Sequence, residues 1–391
     1  MTNTMITPAA ASIPDASSAS ALGFFQRPLP ARIILASFFL VTIPTAGALV
    51  YTNSHRLLFL YIWIFSATHF VVTFTIYLQS ENLRHFTATR RNIIQFVVIP
   101  LGIFAIFYFV RVMRVAPRFP MFALLFGAAV RILDFNHFNR QSFGVYQLFK
   151  ARTGLRAPAL CKKIENAYFI SLSVLLFITY LAGGVSPWIP RDHLNVIGGM
   201  EFLAPMVPVA MLRVAAAACA SVSAALLVTD VAMILKSWRE SGQPSGLWES
   251  FSYVLFQTLS AALAIAFLPL YATALAIHYA EYHVLMYPRC FHSRLDLTRS
   301  LDHWYQTLRG SRALFYGMLI AVSGLVTLLT TLSGVWGTAG LDKPVPYLAF
   351  VAIFDGIFVC HYFIEMLIWR FSDPFFRTTA AALYIAPRSR T

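Results

Sequence analysis

Five histidines lie in or at the ends of long apolar runs: His69, His137, His278, His283 and His361. An imidazole in hydrocarbon is costly unless it pairs, lines a wet cavity or binds a metal. Imidazole is also the commonest protein ligand for iron, copper and zinc. Carboxylates accompany two of the histidines: His278 and Glu281 stand at i, i+3, and His361 and Glu365 at i, i+4, so each pair shares a helix face. His69, Thr73 and Tyr77 form one polar stripe, and Asp134, His137 and Gln141 another. A carboxylate one turn from an imidazole can hold its second N–H and fix its tautomer, as groups around protein-bound metals do. His283 is five residues from His278, about 140° round an ideal helix, so both serve one metal only if the helix unwinds or His283 turns back. These types and spacings point to a buried metal site drawing on some subset of the five histidines. Glu281 and Glu365 are its catalytic carboxylates, as ligands or as groups supporting them.

The elements that must carry these residues are long and apolar. Of 391 residues, 58% are hydrophobic and 12% are charged. A soluble domain carries about 25% charged residues, so the expectation is an all-α, polytopic transmembrane helix bundle. Runs long enough to cross a bilayer fall at 33–51, 57–78, 92–112, 119–135, 166–185, 211–236, 312–335 and 346–370. A ninth, 251–287, is too long for one straight span and has Pro269 near its middle, so it is either a helical hairpin or one kinked helix.

The net charge of +14 is spread over short loops, with no basic face or reading module, which argues against nucleic acid. Basic residues cluster after the second, fourth and sixth runs, after 251–287 and at the C-terminus. Arg111, Arg114 and Arg118 break the pattern. If the basic loops are cytoplasmic, 251–287 crosses twice, giving about 9–10 spans with both termini cytoplasmic. The expected organisation is a disordered tail over 1–30, one membrane domain over 31–378 and a basic tail over 379–391. This topology sets the five histidines at mid-depth or inner depth, with His55 and His193 on the outer side. The four cysteines are scattered, without a metal-binding or haem-attachment spacing.

Several histidines with one or two carboxylates suit non-haem iron, mono- or dinuclear, with an open position for O₂ and a lipophilic substrate entering from the bilayer. Zinc, copper or haem b between facing histidines are the alternatives. The absence of an H-E-x-x-H tract argues against a zincin-type protease. Two readings from other classes stand beside the enzyme: a haem-bearing or structural subunit of a respiratory or photosynthetic complex, and a proton-coupled transporter. No Gly-rich dinucleotide motif is present, so any reductant would come from an electron-donor protein.

Three tracts give the chain a family resemblance: "SATHF" around His69, "IHYAEYHVLMYPR" around His278 and His283, and "VCHYFIEMLIWRF" around His361. They resemble the bacterial Brp/Blh-type membrane β-carotene dioxygenases. That family has a His-bearing early helix, a helix with two nearby histidines before basic residues, and a final-helix His soon followed by a carboxylate. The resemblance implies four iron ligands, His69, His278, His283 and His361, in an enzyme of the bacterial cytoplasmic membrane. The family's early Gly/Pro-flanked His-Gly motif has no counterpart here, and His137 is the residue available to replace it.

Overall fold

The computed structural model describes residues 27–41, 43–44, 60, 62–113, 119–153, 159–181, 208–241, 247–266, 270–332 and 345–384. His55, His193, Arg114, Arg118, Pro269, most of the N-terminal tail and the last residues of the C-terminal tail lie outside them. The described residues are helical, with no strand among them.

Four helices matter most. Helix α1 (Pro28–Leu40) precedes them, with proline in its first turn. Helix α2 opens as a π-helix (Ile62–Ala67), continues as α (Thr68–Phe74) and tightens to a 3₁₀ turn (Thr75–Leu78). Next come α3 (Ser80–Thr87), α4 (Arg90–Val112) and the long α5 (Pro120–Thr153). Helices α6 (Ala159–Leu181), α7 (Val209–Ser241), α8 (Leu247–Ala266) and α9 (Tyr271–Phe291) follow. The chain continues through α10 (Ser300–Gly310), α11 (Arg312–Leu332) and α12 (Val345–Ile368). Each of α2, α9, α5 and α12 packs on the next, and α12 closes back on α2. The ring so formed encloses the site. Helix α4 lies along α12, α11 covers α2 and α12, and α6, α7, α8 and α1 build the other flank.

The 251–287 run is a hairpin. Gln257 on α8 donates a hydrogen bond to Glu281 on α9 at 2.9 Å. These residues are 24 positions apart and would stand about 36 Å apart along one helix. The exception in the charge pattern also has a partner: Arg111 at the end of α4 bonds Asp355 of α12 at 2.7 and 2.8 Å.

Among the described residues three helices are long and apolar enough to cross a membrane, Arg90–Val112, Ala210–Glu240 and Leu348–Ile368, and the bent pair Ser300–Gly310 and Arg312–Leu328 would make a fourth if it is one span. The ring helices α5 and α9 are long as well but carry the polar groups that build the interior. Helix α5 alone holds Arg131, Asp134, Arg140 and Lys150. The outer surface is apolar: Leu101, Val214, Val228, Leu325 and Met366 are all more than half exposed, as suits a bilayer rather than water.

Beyond the C-terminal ends of α2 and α9, Asp302 of α10 ties three segments together. Its carboxylate accepts from Ser80 N, Ser80 Oγ and Asp296 N, each at 2.7 Å. The C-terminal segment returns over α9: Ala380 and Tyr384 are buried, and the Tyr384 hydroxyl donates to the Leu285 carbonyl, so the packed chain extends to Tyr384.

Helix α4 approaches α12 closely at Gly356, where an added Cβ would lie 2.4 Å from the Phe104 ring. Gly356→Val should force that ring aside and cost about 1–3 kcal/mol, the usual scale of overpacking. Gly102→Ala, where nothing stands within 4 Å, should be neutral or slightly stabilising. Thermal unfolding of both variants in detergent checks the pair of outcomes.

Candidate metal centre

The ring brings one histidine from each wall to its centre. His69 comes from α2, His278 from α9, His137 from α5, and His361 with Glu365 from α12. All are buried except His137, which is only partly covered. Consecutive residues of α2, about 100° apart round the helix, serve different walls. Thr68 Oγ1 meets His283 Nε2 at 3.2 Å, while His69 Nε2 meets His361 Nε2 at 3.2 Å. Thr73, one turn on, hydrogen-bonds Tyr282 at 3.0 Å and stands with it beside the Glu365 carboxylate.

His69, His137, His361 and Glu365 each offer one ligand atom, and these atoms all lie within 4.8 Å of one another. His137 Nε2 is 3.3 Å from Glu365 Oε2, and His69 Nε2 is 3.8 Å from Glu365 Oε1. Ligand atoms of a tetrahedral site with metal bonds of about 2.0–2.2 Å stand about 3.3–3.6 Å apart, so the His69–His361 and His137–Glu365 edges are near that size and the His69–Glu365 edge is longer. Hydrogen bonding accounts for only part of the gathering. His137 Nε2 and Glu365 Oε1 are buried without a hydrogen-bond partner. Two imidazole nitrogens facing each other can share only one proton between them. Three neutral imidazoles and a carboxylate are a donor set that can hold a divalent metal ion.

The other expected residues take different positions. The His278 ring stands 4.9 Å from that of His69 and 5.0 Å from that of His137, lining the site without joining the four-ligand group. His283 bonds Thr68 and faces Tyr316 at 6.1 Å between ring centres, on the side of α9 away from that group. Glu281 turns outward to α8, where Gln257 donates to it. Asp134 does not hold His137. It accepts from Tyr362 at 2.5 Å and from Tyr271 at 3.4 Å, and Tyr362 stacks on His137 at 4.1 Å. The carboxylate therefore fixes the imidazole through an aromatic plate. Gln141 bonds the His278 carbonyl, and Tyr77 the Phe96 carbonyl. His85, just beyond α2 on α3, lies apart from the four-residue group. It stacks on Phe375 at 3.9 Å, where burial lowers its pKa and nearby Asp373 opposes the shift.

Two contributors carried little signal in the sequence. Tyr282 packs 4.4 Å from His69, and Phe70 packs 4.4 Å from His361. Arg289 reads as an inner-face anchor but is buried. It donates to the Ile368 carbonyl at the end of α12 and lies 4.6 Å over Trp369, which fixes the turn of helix just beyond Glu365.

No protein-family model, curated protein or solved structure matches this chain. The metal centre therefore rests on geometry.

Purified protein should carry metal in proportion to the intact four-residue group. His69→Ala, His361→Ala and Glu365→Gln should each weaken metal binding by more than the roughly 10–100-fold that loss of outer support costs. His283→Ala should retain the metal. Elemental analysis of detergent-purified protein after dialysis against graded chelator measures all four.

Proposed function

We propose that this protein is an integral-membrane, non-haem iron oxygenase or oxidase acting on a lipophilic, carotenoid- or lipid-like substrate. The observation that carries the reading is the gathering of three imidazoles and one carboxylate, with unpartnered ligand atoms, inside an apolar helical bundle. Histidines with a carboxylate and room for further ligands are the donor pattern of non-haem iron enzymes. Held there, iron would supply a site for O₂ binding and electron transfer.

The surrounding residues have definable tasks. His69, His137 and His361 supply neutral nitrogens, and Glu365 supplies the single negative charge. Tyr362 holds the plane of His137, and Asp134 holds Tyr362. Phe70, Tyr279 and Tyr282 wall His69 and His361 and keep water away from the nitrogens. His137 is the most accessible of the four, and Leu133 and Met366, on the helices that carry His137 and Glu365, face outward. A substrate entering between α5 and α12 would come from the lipid, which favours an apolar molecule.

Haem b suits this geometry poorly. Axial imidazole nitrogens on opposite faces of a haem iron stand about 4 Å apart, twice a metal–nitrogen bond of about 2 Å, with a porphyrin plane between them. His69 and His361 leave 3.2 Å between their nitrogens.

In this reading about nine or ten helices cross the cytoplasmic membrane of a bacterium, with both termini inside. An electron-donor protein, if the reaction needs one, docks on the basic inner face.

A carotene-accumulating bacterium expressing the chain should lose colour and gain retinal, and His361→Ala should abolish both changes. Unchanged pigment with well-expressed, iron-loaded protein overturns the carotenoid substrate. Protein that stays active after complete removal of metal overturns the iron reading, and a Soret band in the purified protein would restore haem.

A further inference from the structure

Where α9 ends and α1 and α11 begin, basic side chains from separate elements come together. Arg309 of α10 donates from Nη1 to the Ser293 carbonyl at 2.8 Å and to the Ser293 hydroxyl at 3.2 Å. Arg312, the first residue of α11, lies 5.3 Å over the Tyr287 ring of α9. Tyr287 stands 5.6 Å from His292, which follows α9 directly and precedes Ser293. Arg27, just before α1, lies within electrostatic reach of His292 too. His292 registers the shared field: partial burial lowers its pKa, and Arg27, Arg312 and Arg309 each lower it further.

Nearby acidic side chains are committed elsewhere. Asp296 pairs with Arg299 at 3.1 Å. Asp302 is within electrostatic reach of Arg309, but its oxygens accept from Ser80 and from the Asp296 N–H. Among the described residues no carboxylate forms an ion pair with Arg27, Arg309 or Arg312. Gathered charges of one sign repel each other, and an anion seated among them turns that repulsion into attraction. Helix α11 begins at the cluster, so its positive dipole end adds to the field.

The surroundings point to a lipid anion. Helix α10 meets α11 at 102°. With α11 crossing a bilayer, α10 lies close to the membrane plane. Its Asp302, Tyr305 and Leu308 turn inward. Trp304 of α10, Leu297 just before it and Leu314 in the first turn of α11 are each about half exposed. Exposed Trp and Leu next to arginines suit the boundary between headgroups and acyl chains, where aromatic rings and basic residues anchor a protein. A dissolved anion has no use for those apolar side chains.

We propose that Arg27, Arg309 and Arg312 form a binding site for the phosphate headgroup of an anionic phospholipid, with the acyl chains lying along α11 beside Leu314. The site rests on the membrane reading of the bundle and is independent of the metal centre. Guanidinium groups hold phosphate oxygens through charge-assisted hydrogen bonds. The headgroup ties the starts of α1 and α11 to the end of α9, the helix that carries His278.

Phosphatidylglycerol added to the detergent-purified full chain should remain bound in native mass spectra and raise the thermal unfolding midpoint. Phosphatidylcholine and inorganic phosphate at the same concentration should do neither. Arg27→Gln and Arg312→Gln should each weaken phosphatidylglycerol binding by roughly five-fold, the scale of one basic residue at an anionic surface, and the double variant by about 25-fold. Both side chains are exposed, and unfolding in phosphatidylcholine micelles confirms that the variants fold. Arg312→Lys, which keeps the charge, should retain most of the affinity. Arg91→Gln, exposed at the start of α4, should leave binding unchanged. Equal binding of phosphatidylcholine, equal protection by inorganic phosphate alone, or undiminished phosphatidylglycerol binding in the folded double variant overturns the site. Protection by polyglutamate in place of the lipid also overturns it and gives the surface to an acidic protein. A chain that stays soluble without detergent overturns the membrane reading itself, so the two failures are distinguishable.

Discussion

The structure turns on four buried ligand atoms whose hydrogen bonds to one another leave two of them unsatisfied. His69 and His361 bring Nε2 to Nε2 at 3.2 Å, and His137 Nε2 and Glu365 Oε1 lie beside them without partners. Buried polar atoms normally find partners because an unmet one costs about 1–3 kcal/mol. Here two such atoms stand beside a facing pair of imidazole nitrogens, inside the ring of α2, α9, α5 and α12. Much of the surrounding construction holds that arrangement in place: the π-turn before His69, the Tyr362 plate under His137, and Arg289 at the end of α12.

Much of this was legible in the sequence. Helix content follows from composition and run length, and His69, His137, His361 and Glu365 share a depth once the runs are threaded through a bilayer. What periodicity does not supply is which neighbour a side chain chooses. Glu281 shares a helical face with His278, yet a flexible carboxylate can lean either way, and Gln257 of α8 offers it a donor. His283 follows the angular rule instead: at about 140° from His278 it falls on another wall, and Thr68 receives it there. Asp134 sits one turn from His137 as expected, but two tyrosines from other helices occupy its oxygens. These outcomes depend on tertiary partners on other helices, from 24 to 228 residues away in sequence, where local spacing carries no information.

Charge patterning has a similar limit. Arg111 looked like an exception to the loop rule, but it is half of an interhelical pair with Asp355. Asp355 supplies the charge inside α12 that holds it there. Arg289 shows the reverse: a residue of ordinary loop-anchor type is buried against aromatic rings and closes a helix end. A basic residue near a span end therefore records orientation only when its side chain is not already committed to packing.

The π-turn over Ile62–Ala67 has a consequence for how this chain can change over time. Each residue inserted into or removed from a helix rotates everything beyond it by about 100°. Adjacent residues face different ways on any helix, and the rotation set just upstream fixes which walls Thr68 and His69 address. The stretch before His69 is therefore constrained by its residue count more than by its residue types. Conservative replacements on its lipid-facing side can accumulate, whereas a single-codon insertion or deletion would swing the imidazole out of the ring. Length invariance of this turn, rather than identity of its side chains, is the trace the centre should leave in descendants of the gene.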